Sequence, residues 1–214
     1  MEEDHFTHER LRMVQEQIAW RGVSEQRVLA AMRQVPRHRF VPIAERSYAY
    51  TDGPLPIGEG QTISQPYIVA LMSELLQLNG DEIVLEVGTG SGYQAAVLSY
   101  LARQVHTIER IPSLAEQAQQ TLKANGFLNV QVHTGDGSNG LPDFAPYGGI
   151  LVAASAPHAP GPLLDQLAEG ARLVVPVGGR GSQILQIWLR KGSQLEREDN
   201  IPVAFVPLRG EHGW

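Results

Sequence analysis

The hydrophobic positions in the second half of the chain fall in short, continuous runs. From residue 81 onward seven such runs occupy 83–87, 104–109, 129–134, 149–154, 172–178, 184–190 and 203–208. Helical patterns lie among the first five runs, over 92–103, 112–124 and 160–169. Continuous apolar runs are typical of strands buried on both faces, and strands alternating with helices indicate a parallel, doubly wound sheet. No helical pattern separates the last two runs, so we expect them to pair antiparallel. The sequence therefore predicts an α/β fold with a mostly parallel, seven-stranded sheet and a closing antiparallel strand pair.

The first eighty residues have helical rather than strand periodicity. Apolar residues recur at helical spacing before Gly22, which offers a stop. Ser24 is a plausible N-cap for a second helix that must end near Pro36. The strongest helical stripe of the chain runs through 68–76 and is closed by Asn79-Gly80. The fold is therefore expected to carry an N-terminal helical extension.

A stretch dense in turn-forming residues lies between these helices, over 51–60. Its length and its position just before the core suggest a lid over a site rather than a flexible linker. We therefore predict two regions. Residues 1–80 form a helical and lid region that contributes to the active site, and residues 81–214 form the ligand-binding core with the C-terminal strands.

Composition narrows the possible functions. The 214 residues carry a net charge of −6 with acids and bases interspersed, so nothing predicts a nucleic-acid partner. The absence of cysteine excludes a disulfide scaffold and thiolate chemistry. The acidic first residues lack an apolar signal core, and no apolar stretch approaches the length of a membrane span. We expect a cytoplasmic protein with no membrane contact. Its oligomeric state stays open, and a monomer is possible.

The most informative segment is the turn between the first apolar run and the helix after it. The strand 83–87 leads directly into Gly88-Thr89-Gly90-Ser91-Gly92. Glycine at every second position permits a sharp turn and lets the backbone approach a ligand closely. Glu109, at the end of the second run, can accept hydrogen bonds from ribose hydroxyls. Together these features predict an adenosine-containing cofactor. A glycine-rich turn without a ligand is the alternative.

The spacing of the glycines distinguishes between adenosine cofactors. A dinucleotide site needs its third glycine where Tyr93 stands, which disfavours an NAD-dependent dehydrogenase. No Arg or Lys lies close by to hold phosphates, and no G-K-[ST] sequence occurs. The sequence therefore favours S-adenosylmethionine, which has ribose, adenine and an amino-acid end but no phosphate.

The turn, the acid on the second strand and the seven strands resemble a Rossmann-like, class I S-adenosylmethionine-dependent methyltransferase. Five further segments narrow the resemblance: VPRHRFVP (35–42), GQTISQPYIVA (60–70), GDG (135–137), LVVPVG (173–178) and FVPL (205–208). With them, the chain is similar to the protein-L-isoaspartate O-methyltransferase family over residues 12–208. The resemblance implies a protein-repair enzyme that methylates the free α-carboxylate of L-isoaspartyl residues, with damaged proteins and peptides as its partners. A class I methyltransferase acting on a small molecule or RNA is the alternative, as is a degenerate member without catalysis.

The resemblance also implies roles for particular residues. It marks Ser64 as the catalytic residue, a hydrogen-bond donor that orients the acceptor carboxylate. The residues implied in cofactor binding are Thr62, Gln65, Glu86, Gly88, Thr89, Gly90, Gly92, Glu109, Asp136 and Gly137. Those implied in substrate binding are Ser64, Val206, Pro207 and Leu208.

Each assignment has a structural alternative. Thr62 or Ser64 could simply cap the helix that begins near Pro66. Glu86 could be a strand-end carboxylate with a structural partner, and Asp136-Gly137 an ordinary turn. Residues 206–208 could be an edge strand that proline protects from pairing.

Metal chemistry and acid–base catalysis are not predicted. The seven histidines are scattered, no cysteine accompanies them, and no metal site is expected. A carboxylate acceptor is already ionised at neutral pH and needs no general base. The chain departs from the family's usual residues at Gly148, Ala153 and His158, which leaves fine specificity open.

Overall fold

The computed structural model describes residues 2–179 and 181–214. Within these residues, the α-helices are α1 (Glu2–Met13), α2 (Gln26–Gln34), α3 (Pro66–Leu75), α4 (Tyr93–Leu98), α5 (Pro112–Ala124) and α6 (Gly161–Asp165). The strands are β1 (Leu55–Gly58), β2 (Gln61–Ile63), β3 (Ile83–Val87), β4 (Gln104–Glu109), β5 (Val130–Thr134), β6 (Tyr147–Val152), β7 (Leu167–Gly179), β8 (Ser182–Lys191) and β9 (Gln194–Val203).

Strands β3 to β9 form one seven-stranded sheet in the order β5-β4-β3-β6-β7-β8-β9. The strands from β5 to β7 are parallel, whereas β8 and β9 join by antiparallel pairing. The predicted fold class is thereby confirmed. The chain winds outward from β3 to one side and then returns through β6 to the other. In open α/β sheets such a reversal leaves a crevice at the carboxyl ends of the two central strands, here β3 and β6.

The sheet separates two apolar cores because neighbouring residues of a strand face opposite sides. Val84 and Leu151 face a larger core that also receives the N-terminal helices, the β1–β2 hairpin and α4. Leu85 and Ile150 face a smaller core closed by α6. These four side chains are fully buried, and burial of each stabilises the fold by about 1.5–3 kcal/mol. The larger core contains residues from both predicted regions, 1–80 and 81–214. The division of the chain at position 80 stays a prediction.

The helix ends follow local sequence signals, with one correction. Helix α1 continues through short irregular turns to Arg21, and Gly22 ends it with a φ of 99°. Helix α2 ends before Pro36. Its N-cap is Glu25 and not Ser24, because the Glu25 carboxylate accepts from the Val28 amide at 2.7 Å.

Several strand and helix boundaries differ from the sequence prediction. Helix α3 ends at Leu75, before the predicted stop at Asn79-Gly80, and α4 ends at Leu98 rather than near 103. The seventh strand is β9, over a polar stretch, and residues 204–208 lie outside it. Helix α6 spans only five residues because β7 begins at Leu167. Residues 51–60 are not one loop, since β1 pairs with β2 as a hairpin whose Leu55 and Ile57 are buried.

Candidate active site

A cavity opens at the carboxyl ends of the central strands, where the sheet order reverses. We call it the switch-point cavity. Of the residues predicted from the sequence, those that line it are Thr62, Ser64, Glu86, Gly88, Thr89, Gly90, Glu109, Gly137, Val206, Pro207 and Leu208. Gln65, Gly92 and Asp136 do not line it. Residues far apart in the sequence therefore meet at the point that the topology leaves open.

The glycine turn forms one wall of the cavity. Gly88, Gly90 and Gly92 all adopt positive φ, of 94°, 52° and 86°, in the region that favours glycine. The Gly90 amide donates to Glu109 Oε2 at 2.9 Å, and the Ile111 amide donates to Glu109 Oε1 at 3.0 Å. These two bonds fix the Glu109 carboxylate at the cavity wall, where it has further acceptor capacity for a ligand. Gly92 is instead the N-cap of α4, where a side chain would press on Leu122 at 3.2 Å.

Glu86 is fully buried at the floor of the cavity. Thr107, its neighbour in the parallel register, donates to Glu86 Oε2 at 2.5 Å and is itself hydrogen-bonded to Thr89 at 2.6 Å. Glu86 Oε1 is buried without a hydrogen-bond partner among the described residues. Burial raises the pKa of Glu86 to about 8. The Thr107 hydrogen bond opposes that rise in pKa, and the Glu109 charge adds to it.

These residues fit S-adenosylmethionine. A buried carboxylate oxygen with no partner is costly unless a ligand satisfies it, and the ammonium of an amino acid would do so. Glu109 offers acceptors for ribose hydroxyls. A Cβ at Gly137 would come within 2.6 Å of the Val87 side chain, so the backbone there approaches as closely as only glycine allows. The two arginines at the cavity, Arg110 and Arg209, are exposed at its rim.

A second cavity lies beside the first, between the start of α3 and residues 202–206. We call it the groove, and its lining residues are Pro54, Thr62, Ser64, Gln65, Ile68, Ala153, Pro202, Val203, Ala204, Phe205 and Val206. Thr62, Ser64, Ala153 and Val206 line both cavities. The two spaces therefore share one wall.

Ser64 stands on this shared wall, just before α3. The N-cap of α3 is Gln65, and no side chain caps the helix, so neither Thr62 nor Ser64 has the capping role that was the alternative. The Gln65 side chain turns to Asp52 Oδ1 at 2.7 Å. The Ser64 hydroxyl has no hydrogen-bond partner in the part of the chain that the structure describes, and it is free to serve a ligand.

Residues 206–208 reach the cavity through Ser155 rather than through a strand. The Ser155 amide donates to the Val206 carbonyl, and the Leu208 amide donates to the Ser155 carbonyl, both at 2.8 Å. Asp136 lies nearby but outside the cavity lining, and it caps the short turn over 137–139. Burial alone would raise the pKa of Asp136, but hydrogen bonds from the Glu211 amide and from Ser138 lower it overall.

Several residues at the site were not predicted. Thr107, which orients Glu86, could have been suspected as a polar residue inside an apolar run. Gln94 lines the cavity and donates to Ser73 Oγ at 2.9 Å, and Arg209 lies at the rim. Neither has a signal in the sequence.

The three departures from the family's usual residues lie in different places. Ala153 is on the shared wall, whereas His158 is exposed and lines neither cavity. Gly148 packs on Glu82, where a side chain would collide.

Within residues 2–179 and 181–214, no cluster of three or more metal-ligating side chains occurs. None of the helices in these ranges is both long and apolar enough to cross a membrane.

The sheet order, with a cavity at its reversal point lined by the glycine turn, Glu86 and Glu109, fits a Rossmann-like S-adenosylmethionine-dependent methyltransferase. The sequence profile of the family "Protein-L-isoaspartate(D-aspartate) O-methyltransferase (PCMT)" matches residues 8–213, so the chain belongs to that family. The resemblance seen in the sequence is thereby confirmed.

Relatives and solved structures agree with this placement. A protein-L-isoaspartate O-methyltransferase of Roseiflexus sp. (strain RS-1) is 56% identical over 209 residues, covering 98% of this chain and 95% of that protein. One from Methanoregula boonei is 56% identical over 206 residues, covering 96% and 95%. A solved protein-L-isoaspartate O-methyltransferase superposes with a TM-score of 0.84 at 29% identity, covering 97% of this chain and 67% of that one. A Plasmodium falciparum structure in complex with S-adenosyl-L-homocysteine shares the fold, with a TM-score of 0.82 at 24% identity, over 94% and 98% of the two chains.

Proposed function

We propose that this protein transfers the methyl group of S-adenosylmethionine to the free α-carboxylate of L-isoaspartyl residues in damaged proteins and peptides. The observation that carries the proposal is the wall that Ser64 shares between the switch-point cavity and the groove. A methyl group transferred from a ligand in the switch-point cavity to a ligand in the groove must pass between the residues that line both. Family membership supplies the substrate class.

The cofactor would be held by the residues of the switch-point cavity. Glu86 Oε1 would accept from the ammonium and Glu109 from the ribose, while the backbone at Gly88 and Gly90 would contact the amino-acid end. S-adenosylmethionine, when bound, supplies the methyl group that a carboxylate oxygen takes as the sulfonium sulfur leaves, and no proton moves.

Ser64 would act on the acceptor as a hydrogen-bond donor. An α-carboxyl has a pKa near 3.5 and is ionised at neutral pH, so the reaction needs no general base. The Ser64 hydroxyl can donate to one carboxylate oxygen and leave the other oxygen directed at the methyl group. Backbone amides at the start of α3, a helix of ten residues, would add attraction for the anion. Catalysis then rests on alignment, which can supply up to about 7–11 kcal/mol.

The substrate main chain would lie along the groove and pair with residues 206–208. The Val206 amide makes no hydrogen bond to any described part of the chain and lies on the shared wall, where a peptide can accept from it. Backbone pairing of this kind gives affinity with little sequence preference, which suits an enzyme that must accept many damaged sites. Ile68 and Phe205 give the groove apolar surface.

The hairpin that follows residues 51–54 would act as the lid. Thr62 lines the cavity, and Ile57 packs against the glycine turn. A cover at this place keeps water from the carboxylate, which strengthens each electrostatic contact inside.

We further propose that the enzyme works in the cytoplasm and on proteins rather than nucleic acids. The lack of cysteine and the net charge of −6 support both points.

The proposal is tested with two synthetic peptides that differ only in an isoaspartyl or a normal aspartyl linkage. The protein is incubated with methyl-labelled S-adenosylmethionine and each peptide. Base-labile label on the isoaspartyl peptide alone is expected. Label on RNA or on small carboxylates instead would assign the chain to another methyltransferase class, and cofactor binding without any transfer would refute the proposal.

Ser64→Ala separates the orienting role from a structural one. Loss of one hydrogen bond to a charged group is worth about 1.5–3 kcal/mol, so turnover should fall about ten- to a hundredfold. Cofactor affinity, measured by calorimetry, should change less than about twofold. Ser193→Ala, in the exposed turn before β9, is the matched control. Equal losses in turnover and cofactor affinity would show that Ser64 only supports the local fold.

A further inference from the structure

Gln65 follows Ser64 directly in the chain, but it lies at a different space. It lines the groove and not the switch-point cavity. It is the N-cap residue of α3, yet its side chain makes no capping hydrogen bond, and it is only partly buried. A polar side chain therefore stands at the proposed peptide site, next to the serine that orients the acceptor carboxylate.

The orientation of the Gln65 amide is fixed by Asp52. Gln65 Nε2 donates to Asp52 Oδ1 at 2.7 Å and lies 3.4 Å from the Asp52 carbonyl oxygen. A carboxylate and a carbonyl only accept, so the amide nitrogen and not its oxygen must face them. Asp52 does not line the groove. Gln65 Oε1, on the other side of the same amide group, is left for the groove and has no hydrogen-bond partner within residues 2–179 and 181–214.

Asp52 is itself held in place by Arg21. Arg21 Nη1 donates to Asp52 Oδ2 at 3.1 Å and to Oδ1 at 3.3 Å. The Arg21 guanidinium carbon lies 3.7 Å from the centre of the ring of Tyr67, which is on α3 two residues after Gln65. These contacts form a closed circuit that begins and ends at the start of α3. Exposed ion pairs add little to stability, so the consequence of this one is the orientation of the Gln65 amide.

A peptide in the groove needs an acceptor as well as donors, because it presents N–H groups together with its carbonyl and carboxylate oxygens. The Ser64 hydroxyl and the Val206 amide, both on the shared wall, are donors for the oxygens. The Val206 carbonyl is already engaged, since it accepts from the Ser155 amide at 2.8 Å and from the Ser155 hydroxyl at 3.3 Å. A peptide N–H buried without an acceptor would weaken binding. Gln65 Oε1 is an acceptor placed where it meets this need.

We propose that Gln65 is a specificity-determining residue that accepts a hydrogen bond from the amide N–H of the isoaspartyl residue, and that Asp52 positions it. This N–H and the α-carboxylate are attached to the same carbon atom of the substrate. Two consecutive residues of the enzyme then recognise the two groups, Ser64 by donating and Gln65 by accepting. The inference rests on the proposed function for the identity of the peptide.

The test pairs an isoaspartyl peptide with its ester analogue, in which an oxygen atom replaces the N–H of the isoaspartyl residue and the α-carboxylate is kept. The kcat/KM of each is measured at saturating S-adenosylmethionine with the parent, Gln65→Met, Asp52→Ala and Gln120→Met. Methionine has nearly the shape of glutamine but no strong acceptor. Gln120 is the matched control, because its Nε2 donates to Glu116 Oε1 at 3.3 Å on the exposed side of α5 and it lines neither cavity.

The parent should use the ester about five- to tenfold less efficiently than the amide, as expected for the loss of one hydrogen bond. In Gln65→Met the kcat/KM of the amide should fall about five- to tenfold, and the preference for the amide should drop below about twofold. Asp52→Ala, in which the Gln65 amide can turn, should keep a preference of about two- to threefold. Gln120→Met should keep the parent's preference. The weaker carbonyl of the ester affects all four proteins equally and cancels in this comparison.

The proposal is overturned by a preference for the amide that is the same in Gln65→Met as in the parent. A Kd of S-adenosylhomocysteine raised more than about tenfold in Gln65→Met would also overturn it, since Gln65 would then serve the cofactor. An unchanged preference in Asp52→Ala would refute the positioning role of Asp52.

The comparison of the two peptides on the parent involves no substitution, so it stands even where a variant fails to fold. A parent that methylates both peptides equally well refutes this inference alone. A parent that binds the cofactor but methylates neither peptide refutes the proposed function, and this inference with it.

Discussion

Replacement of Glu86 by glutamine should change the number of protons released when the cofactor site is filled. With a pKa of about 8, the Glu86 carboxyl carries a proton in about nine of ten free molecules at pH 7. An ammonium held against Oε1 favours the ionised form and lowers that pKa. Binding should therefore release about 0.9 proton from Glu86 at pH 7, falling to about 0.1 at pH 9, where the free protein is already ionised.

Titration calorimetry with S-adenosylhomocysteine measures this quantity directly. The observed enthalpy in two buffers of different ionisation enthalpy gives the protons released per site. Glu86→Gln keeps the shape but cannot titrate, so the parent should exceed it by about 0.9 proton at pH 7. Glu86→Gln should also bind S-adenosylhomocysteine about ten- to a hundredfold more weakly than the parent, because a hydrogen bond to a charged group is lost. The exposed Glu116→Gln variant should release as many protons as the parent. Equal proton release by the parent and Glu86→Gln would refute the role assigned to this carboxylate.

The same pKa shift contributes to the pH dependence of the free protein's stability. The pKa of Glu86 rises from 4.5 in the unfolded chain to about 8 in the folded protein. Its contribution to stability is therefore fully present below pH 4.5 and is lost as the pH rises toward 8. Unfolding in urea should show Glu86→Gln gaining stability relative to the parent across this window. A constant difference between the two proteins from pH 5 to 8 would contradict the shifted pKa.

Three further substitutions test the packing and a pair of histidines, His106 and His133, whose Nδ1 and Nε2 atoms lie 3.0 Å apart. Gly137→Ala should cost about 1–3 kcal/mol in urea unfolding and weaken cofactor binding, because its methyl would press on Val87; an unaltered Kd would show that the loop can move aside. Ile150→Ala, at the fully buried centre of the smaller core, should cost about 2–5 kcal/mol by the same measurement, and a loss under 1 kcal/mol would contradict that burial. Burial, with His133 adding, lowers the pKa of His106 to about 4, so the pair's contribution to stability is present above pH 6.5 and lost as the pH falls toward 4. His106→Gln should flatten the decline of Tm between pH 6.5 and 4, and an unchanged slope would exclude the pair as its source.

The inner parallel strands β3, β4, β6 and β7 could be predicted because they are largely buried on both faces. Such strands need apolar side chains at most positions, which left four continuous runs in the sequence. β5, at the sheet edge, is only partly buried. β9 gave no such signal, since an edge strand exposed to solvent carries polar residues. The β1–β2 hairpin was missed for a related reason, because its four- and three-residue strands lie among glycines and prolines that predict turns.

The parts of the site that a single local segment forms could be predicted from the sequence. The contacts between segments distant in the sequence could not. The glycine turn and Glu109 are local signals of a cofactor site. The bond from Thr107 to Glu86 depends on the register between β3 and β4, which the sequence does not state. The link from Asp136 to Glu211 joins residues 75 apart. The resemblance implied a role for Asp136 in cofactor binding, and the fold adds that its carboxylate accepts from Ser138 and from the Glu211 amide.

The charged outer strand has a consequence for an enzyme whose clients are damaged proteins. Such clients present loosened, strand-forming segments that could add to any open sheet edge. β9 is exposed at most positions, ion pairs join Lys191 to Glu196 and Arg197 to Asp199, and Pro202 lies near its end. A charged strand of this kind pairs poorly with a strand of another protein. Under the proposed function, the substrate protein would bind over a few residues beside Val206 without adding to the enzyme's sheet as an eighth strand.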